Sequence, residues 1–553
     1  MAHHTGPRTG RPPVLAARGI VTSPHYLASE AGNAALRRGG SAVDAAIVTN
    51  TVLAVAYPHM AGLGGDCFML LAGGPVDGVE ALEANGPAAS AATREFYAEA
   101  GHEAQIPMRG ALAALTVPGA VDGWREAHER YGRLPWADLF TDAIELAENG
   151  VAVTRSLADW IATDWNLLKT DDRIADVFAA GESPVREGAL LRQPALAATL
   201  RRLAEGGARG YFYEGEFAQA FTAALAEQGS PLRAQDLADY RARWVEPIST
   251  TYRGRTVYQL PPATQGMAAL QILNLLEGFD LTAIPEGGAD YYHLIVEAVK
   301  VAFADRDEWL TDPGFVDIPL ETLLSKEYAD QRRSLISMER ALDGPAVEPG
   351  LRHGDDAART APTGDTVYFA AADSQGMMVS IIQSPYHDFG SGIIAGETGV
   401  IPQNRGSFFS LDASHPNTLE PGKKTFHTII PALVMEDGEP VLAYGTMGGE
   451  GQPQTQAAVL TRIIDYGFDV QQAIEAPRWL YGRTWGVSDS DLKLEARIEP
   501  EVIRELALRG QPVAITPAWD GTLGHAAAIR RHRDTGLYEG GADPRGDGQA
   551  VGH

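Results

Sequence analysis

The passage from Leu351 to Ser384 constrains this chain more than any other. Leu351-Arg-His-Gly-Asp-Asp-Ala-Ala-Arg-Thr-Ala-Pro-Thr363 has no apolar period, carries a proline and consists of side chains that stay solvated, so it predicts an exposed linker. After Gly364-Asp365, the run Thr366 to Ala372 is β-branched, aromatic or small and apolar. Asp373-Ser-Gln-Gly376 then reads as a tight turn, and Met377 to Ser384 is a second apolar run. Strand, turn and strand make a hairpin. Thr366 thus stands where a cleavable segment meets the first residue of a strand. A cut between Asp365 and Thr366 would leave a hydroxyl and a free α-amine on one residue, a nucleophile with its own base. Linkers that run into strands are common, and on this local pattern alone a structural role is the commoner explanation.

At 553 residues the chain is too long for one ordinary core, so two packed units or one multilayer domain are expected. The net charge of −27, from 45 basic and 72 acidic residues, argues against nucleic acid or an anionic membrane as partner. A single cysteine, Cys67, excludes an intramolecular disulfide. The N-terminus lacks an apolar signal core, and no apolar run of about 18 residues suggests a span. A cytoplasmic enzyme is the expectation.

Along the chain, residues 1–16 read as a disordered lead. A short strand and a helix closed by Gly39-Gly40 follow. Ser41 to Ala56 is apolar almost all round and predicts a buried central helix. The glycine-rich turn Pro58-His-Met-Ala-Gly-Leu-Gly-Gly-Asp66 precedes a strand at Cys67. Further strands are expected at 79–85 and 111–117, with a short helix opening at Arg94. Helical patterns dominate 135–343, including 264–277, 288–311 and 320–342, broken by a β-rich insert at 248–260. Beyond the linker, strands and turns prevail, with helices at 452–466, 470–476 and 500–509 and a closing hairpin at 525–539. This order suggests an α+β layered protein.

Several catalytic signatures are missing. Asn417 stands where a P-loop ending at Gly422-Lys423 needs its first glycine; no His-Glu-x-x-His and no Gly-x-Ser-x-Gly occurs. Two glycine-rich stretches remain. Ile382-Gln-Ser384-Pro-Tyr386-His-Asp-Phe389-Gly-Ser-Gly392 could bring a hydroxyl to Thr366 across the hairpin. Leu442 to Gln454, with Gly448-Gly449, runs from a strand into a helix start, where unpaired N–H groups suit an oxyanion hole; a tight turn is the plainer alternative.

At these residues the chain resembles the gamma-glutamyltransferase family of N-terminal-nucleophile hydrolases. The resemblance covers about residues 17–545, through Leu27-Ala-Ser-Glu-Ala-Gly, Gly39-Gly-Ser-Ala-Val-Asp-Ala-Ala, Pro58 to Asp66, the Thr366 hairpin, Phe389-Gly-Ser-Gly, Gly448-Gly449 and Gly541-Ala-Asp-Pro-Arg545. It implies a four-layer αββα sandwich, self-cleavage between Asp365 and Thr366, a large fragment 17–365 and a small fragment 366–553. The fragments would be each other's partners, with a dimer of such heterodimers as a candidate assembly, and no cofactor or metal. Thr366 resembles the nucleophile, Ser384 its hydroxyl partner, and Gly448 and Gly449 the oxyanion pair. Arg94 resembles the arginine that grips a substrate carboxylate, a task suited to a planar fork.

Departures bear on the substrate. Tyr386 stands where the family typically has Asn, Phe408 where it has an acidic residue, and His427-Thr428 where a Ser-Ser pair is common. Asn404, Arg405, Tyr386 and His427 are pocket candidates by motif position. The segment from Asn404 to Pro431 is short, which implies no long lid. The carboxylate anchor is kept and the ammonium anchor lost, as in the branch that includes oxamate amidohydrolases. An amidohydrolase of a small carboxylate-bearing amide is the expectation. The alternatives are a gamma-glutamyltransferase or glutathione hydrolase, an acylase acting on β-lactam side chains, and an unprocessed binding protein.

Overall fold

Alternation along the hairpin sets the architecture. We describe residues 10–352, 365–482 and 490–553 in a computed structural model. The expected linker, at 353–364, lies outside the described residues. Fourteen strands build two seven-stranded sheets. They are β1 (Val14–Ala16), β2 (Ile20–Ser23), β3 (Asp66–Gly73), β4 (Val76–Ala84), β5 (Arg243–Val245), β6 (Ile248–Tyr252) and β7 (Arg255–Gln259). They continue with β8 (Asp365–Ala372), β9 (Met378–Tyr386), β10 (Ala432–Glu436), β11 (Glu439–Thr446), β12 (Ala526–Arg531), β13 (Tyr538–Ala542) and β14 (Gln549–Gly552). One sheet runs β14-β2-β8-β9-β3-β4-β5 and the other β1-β13-β12-β11-β10-β7-β6.

Val367, Phe369 and Ala371 of β8 face a core shared with helices α1 (Tyr26–Arg37) and α2 (Ala42–Ala56). Tyr368, Ala370 and Ala372 face the second sheet, against Leu433, Ala443 and Ile529. The outer face of that sheet, with Val434 and Tyr444, packs on α4 (Gly266–Glu277), α5 (Ala289–Trp309) and α6 (Gln452–Ile464). The layers are therefore helices, sheet, sheet, helices, an αββα sandwich of α+β class. Every residue of α2 is buried, as its apolar residues on nearly every side foretell; its start is fixed by a capping box between Ser41 and Asp44.

Some expectations fail. Val14–Ala16 is not part of a disordered lead but pairs with β13, because its backbone finds an open sheet edge there; residues 1–9 lie outside the described residues. The expected strand at 111–117 is a 3-10 turn at Ala111–Ala113 plus a single bridge from Thr116 to Ala88, since no full strand lies alongside. The expected helix at 320–342 is two short helices, Leu320–Leu323 and Lys326–Arg333, because the Ser325 side chain caps the second one. Among the described residues, no helix is long and apolar enough to cross a membrane.

Candidate active site

Thr366 occupies a β-bulge. Asp365 pairs with Tyr386 and Val367 with Gln383, so Thr366 alone faces both Ser384 and Pro385. The residue is fully buried. Gln452 Nε2 donates to Thr366 Oγ1 at 3.4 Å, and the Gln452 side-chain oxygen Oε1 accepts the Ile430 N–H at 2.9 Å. Ser384 Oγ accepts the Tyr386 N–H at 2.7 Å, and Ser384 lies opposite Asp66 of β3. The bend leaves Tyr386 at φ 85°, a conformation costly for a bulky residue and held by its surroundings.

A glycine loop closes one side. After β11, Gly448 adopts φ 116° and Gly449 φ 53°, and a 3-10 turn leads into α6. Among the described residues neither N–H donates a hydrogen bond. Gly524 packs against this loop; a Cβ there would lie 2.6 Å from the Met447 carbonyl oxygen. Behind the loop, Gln265 Nε2 donates to the carbonyls of Thr428 at 2.6 Å and Gly449 at 3.0 Å. Arg306 donates to the Gln265 oxygen at 3.2 Å and pairs with Glu450 at 2.6 Å.

The third wall is a buried polar cluster. Arg405 is fully buried, its guanidinium 4.1 Å from the Tyr386 ring centre, and its Nη1 donates to Thr428 Oγ1 at 3.4 Å. Its Nε and Nη2 have no partner among the described residues. Burial lowers its pKa to about 10, against the favourable fields of Tyr386 and Asp66. Asp66 Oδ1 accepts from the Gly86 and Gly119 N–H groups, each at 3.2 Å, and from Gln403 Nε2 at 3.0 Å. Its Oδ2 is unpartnered and lies 3.6 Å from His427 Nε2. Burial raises the Asp66 pKa to about 7, although Arg405 and these hydrogen bonds oppose the shift. His427 is held neutral by burial, with Arg405 and Lys424 adding to the effect, so its contact with Asp66 is not an ion pair.

Thr366, Ser384, Gly448, Gly449, Tyr386, Arg405 and His427 are thus all buried along these three walls. Asn404 is buried but occupied: its oxygen accepts the His387 N–H at 3.0 Å and its Nδ2 donates to the Met108 carbonyl at 2.7 Å. Arg94 opens α3 (Arg94–Glu99), half-buried, and its charge acts on Glu95 and on exposed Asp412. No hydrogen bond or ion pair among the described residues ties Arg94 to the Arg405 cluster.

Sequence reasoning missed Asp66, Gln265, Gln452 and Asn85. Asn85 is buried with both polar atoms unpartnered, one position past β4. Asp66 ends the glycine-rich turn Pro58–Asp66 and Gln452 lies within the glycine-rich stretch Leu442–Gln454, and that adjacency is the available signal.

Comparison with known proteins fits this geometry. The family model for gamma-glutamyltranspeptidase matches residues 28–553. The chain belongs to the gamma-glutamyltranspeptidase family. It is an enzyme of that family, with the N-terminal-nucleophile hydrolase fold. The "Glutathione hydrolase-like YwrD proenzyme" of Bacillus subtilis is 45% identical over 541 residues, covering 98% of this chain and 99% of its own. The "Oxamate amidohydrolase proenzyme" of Klebsiella pneumoniae is 42% identical over 546 residues, covering 98% and 99%. The crystal structure of a cephalosporin acylase from Bacillus halodurans superposes with a TM-score of 0.90 at 37% identity, covering 100% of this chain and 99% of that one.

Proposed function

We propose that this family member cuts itself before Thr366 and then hydrolyses the amide of a small carboxylate-bearing substrate of the oxamate type. In the first step the Thr366 hydroxyl attacks the Asp365 carbonyl, the acyl group passes from nitrogen to oxygen and frees the Thr366 α-amine, and water then cleaves the ester to release the Thr366 hydroxyl and the Asp365 carboxylate. In turnover the amine takes the Thr366 hydroxyl proton as the oxygen attacks the substrate amide. The N–H groups of Gly448 and Gly449 hold the oxyanion, a donor of this kind being worth roughly 10²–10³ in rate. Ser384 and Gln452 orient the nucleophile, ammonia leaves, and water frees the acid from the acyl-Thr366 ester.

The observation that carries the substrate class is Arg405. A fully buried guanidinium with Nε and Nη2 unpartnered is costly unless an anion completes it, and a carboxylate matches that fork. Arg405, rather than Arg94, is the carboxylate anchor in this reading, with Thr428 beside it. Tyr386 places that anchor next to Ser384 and so next to Thr366. The oxamate amidohydrolase relative supports the same substrate class. A second reading, hydrolysis of a gamma-glutamyl amide, is favoured by one observation: the free Oδ2 of Asp66 could face an α-ammonium.

Thr366→Ala is expected to remain one chain on a denaturing gel and to lack turnover; two fragments from that variant would overturn the assignment. The processed enzyme is expected to release ammonia from oxamate. Glutathione hydrolysis without ammonia release from oxamate would transfer the assignment to the second reading.

A further inference from the structure

The Arg405 cluster holds one guanidinium and one carboxylate in a volume closed to water. A substrate carboxylate adds a second anion to it. Two carboxylates around a single guanidinium at low dielectric repel each other strongly, and one of them is driven to take a proton. Asp66 is built to be that group. Its Oδ1 is committed to three donors, from Gly86, Gly119 and Gln403, and holds the side chain in place. Its Oδ2 is free and lies 3.6 Å from His427 Nε2, itself free. A movement of under about 1 Å makes that contact a hydrogen bond.

The surroundings favour this proton position. Arg405 faces Asp66 from the 3-10 turn Arg405–Phe408, and Gln403 from the segment before it. His427 faces it from the segment that also carries Lys424, whose ammonium is tied to Glu83 of β4 at 2.6 Å. Behind it stand the phenols of Tyr213 and Tyr240 and the neighbouring thiol of Cys67, all pushed upward by burial and neutral. Among the described residues' side chains no second cation next to Asp66 is left to balance a second anion: Lys424 is committed to Glu83, and His427 is kept neutral by burial and by its cationic neighbours. Asp66 titrates at about 7 before any substrate arrives, so adding a proton near neutrality costs little.

We infer that a substrate carboxylate enters this site together with one proton from solvent, which Asp66 accepts on Oδ2 and directs at His427 Nε2. The inference rests on the carboxylate reading of Arg405. Asp66 is then a positioning and specificity residue: it makes the pocket select a lone carboxylate that arrives without an ammonium of its own. Substrate affinity falls as pH rises above about 7, approaching tenfold per pH unit, because the proton must be drawn from an ever more dilute supply.

The test uses pyruvate, a carboxylate beside a carbonyl with no amide to cut, and the processed enzyme. Calorimetric titrations in phosphate and in Tris give the proton count from the difference in heats. Uptake close to one proton per pyruvate near pH 8 is expected, and Asp66→Asn, whose amide stands in for the carboxylic acid, should bind with a nearly flat pH profile and no uptake. Binding without uptake in the wild-type enzyme overturns the inference while leaving the carboxylate reading intact. Uptake that persists in Asp66→Asn also overturns it, since the proton then resides elsewhere, as on the Thr366 amine. Absence of pyruvate binding at any pH overturns the carboxylate reading itself. Should Asp66→Asn fail to mature, infrared difference spectra of wild-type protein labelled with ¹³C-aspartate decide the question. A pyruvate-induced, isotope-shifted carboxylic-acid band supports the inference, and its absence refutes it.

Discussion

Arg405 illustrates how a single side chain can be both poorly satisfied and well placed. Its ring partner Tyr386 provides a cation–π surface, and Thr428 takes one N–H, but Nε and Nη2 remain for a ligand. Arg405→Gln keeps a polar group of smaller reach and removes the charge. We expect kcat/KM for oxamate to fall by about 2–5 kcal/mol of transition-state binding, most of it in KM, with self-cleavage unchanged. Steady-state kinetics beside a denaturing gel check both halves. The family resemblance points to Arg94 as the carboxylate anchor, whereas the proposed reading gives that role to Arg405. Both are arginines at the start of a short helical turn, and what distinguishes them is burial. Asp66 and Asn85 were equally hidden. They reach the site through β-sheet register, which brings together residues from strands distant in the chain, and register is not written in local periodicity.

At the scale of elements, what could be read locally was read. The largely apolar stretch of α2 and the Asp373–Gly376 turn with flanking strands declared themselves. In that turn Asp373 Oδ1 accepts the Gln375 N–H at 2.9 Å and Gly376 takes φ 88°. β14 was missed because its four residues are too few to show an alternation. The C-terminal hairpin β12–β13 was foreseen, but not the charged clamp that fixes it. Asp543, just past β13, pairs with Arg478 at 2.9 Å and Arg545 at 3.0 Å and accepts the Ala526 N–H at 2.9 Å. Arg478 in turn donates to the Gly524 carbonyl at 2.8 Å, so the clamp also seats the residue that backs Gly448. Burial works against the Asp543 carboxylate, yet Arg478 and Arg545 outweigh it and hold its pKa well below the usual carboxylate range. Because the folded pKa is depressed, the stabilisation is present above the unfolded value of about 3.9 and is lost as pH falls below it. Asp543→Asn is expected to cost about 3 kcal/mol near neutrality, since it leaves the buried Arg478 guanidinium without its carboxylate, while Arg545 keeps Glu495 at 2.7 Å. It should also flatten the decline in Tm expected of the wild-type chain below about pH 4. Thermal melts across that range measure both effects.

For the whole molecule, the layered class followed from the order of helical and strand-rich segments, while the pairing of the strands did not. A cut before Thr366 would assign β1–β7 to one fragment and β8–β14 to the other. Neither sheet respects that division. In one, β2 of the large fragment lies between β14 and β8 of the small one, and β9 lies against β3. In the other, β1 caps one edge, β7 and β6 the opposite edge, and the strands between them belong to the small fragment. The processed enzyme is expected to run as a single species in native gel filtration and to part into two chains only in denaturant. Two native peaks would refute the interleaved pairing. One consequence reaches into assay practice. Partners held by an ordinary interface obey mass action and come apart when diluted. Here separation requires breaking both sheets, so activity per molecule should not depend on enzyme concentration, and the fragments made from separate genes would each present bare strand edges until they met during folding.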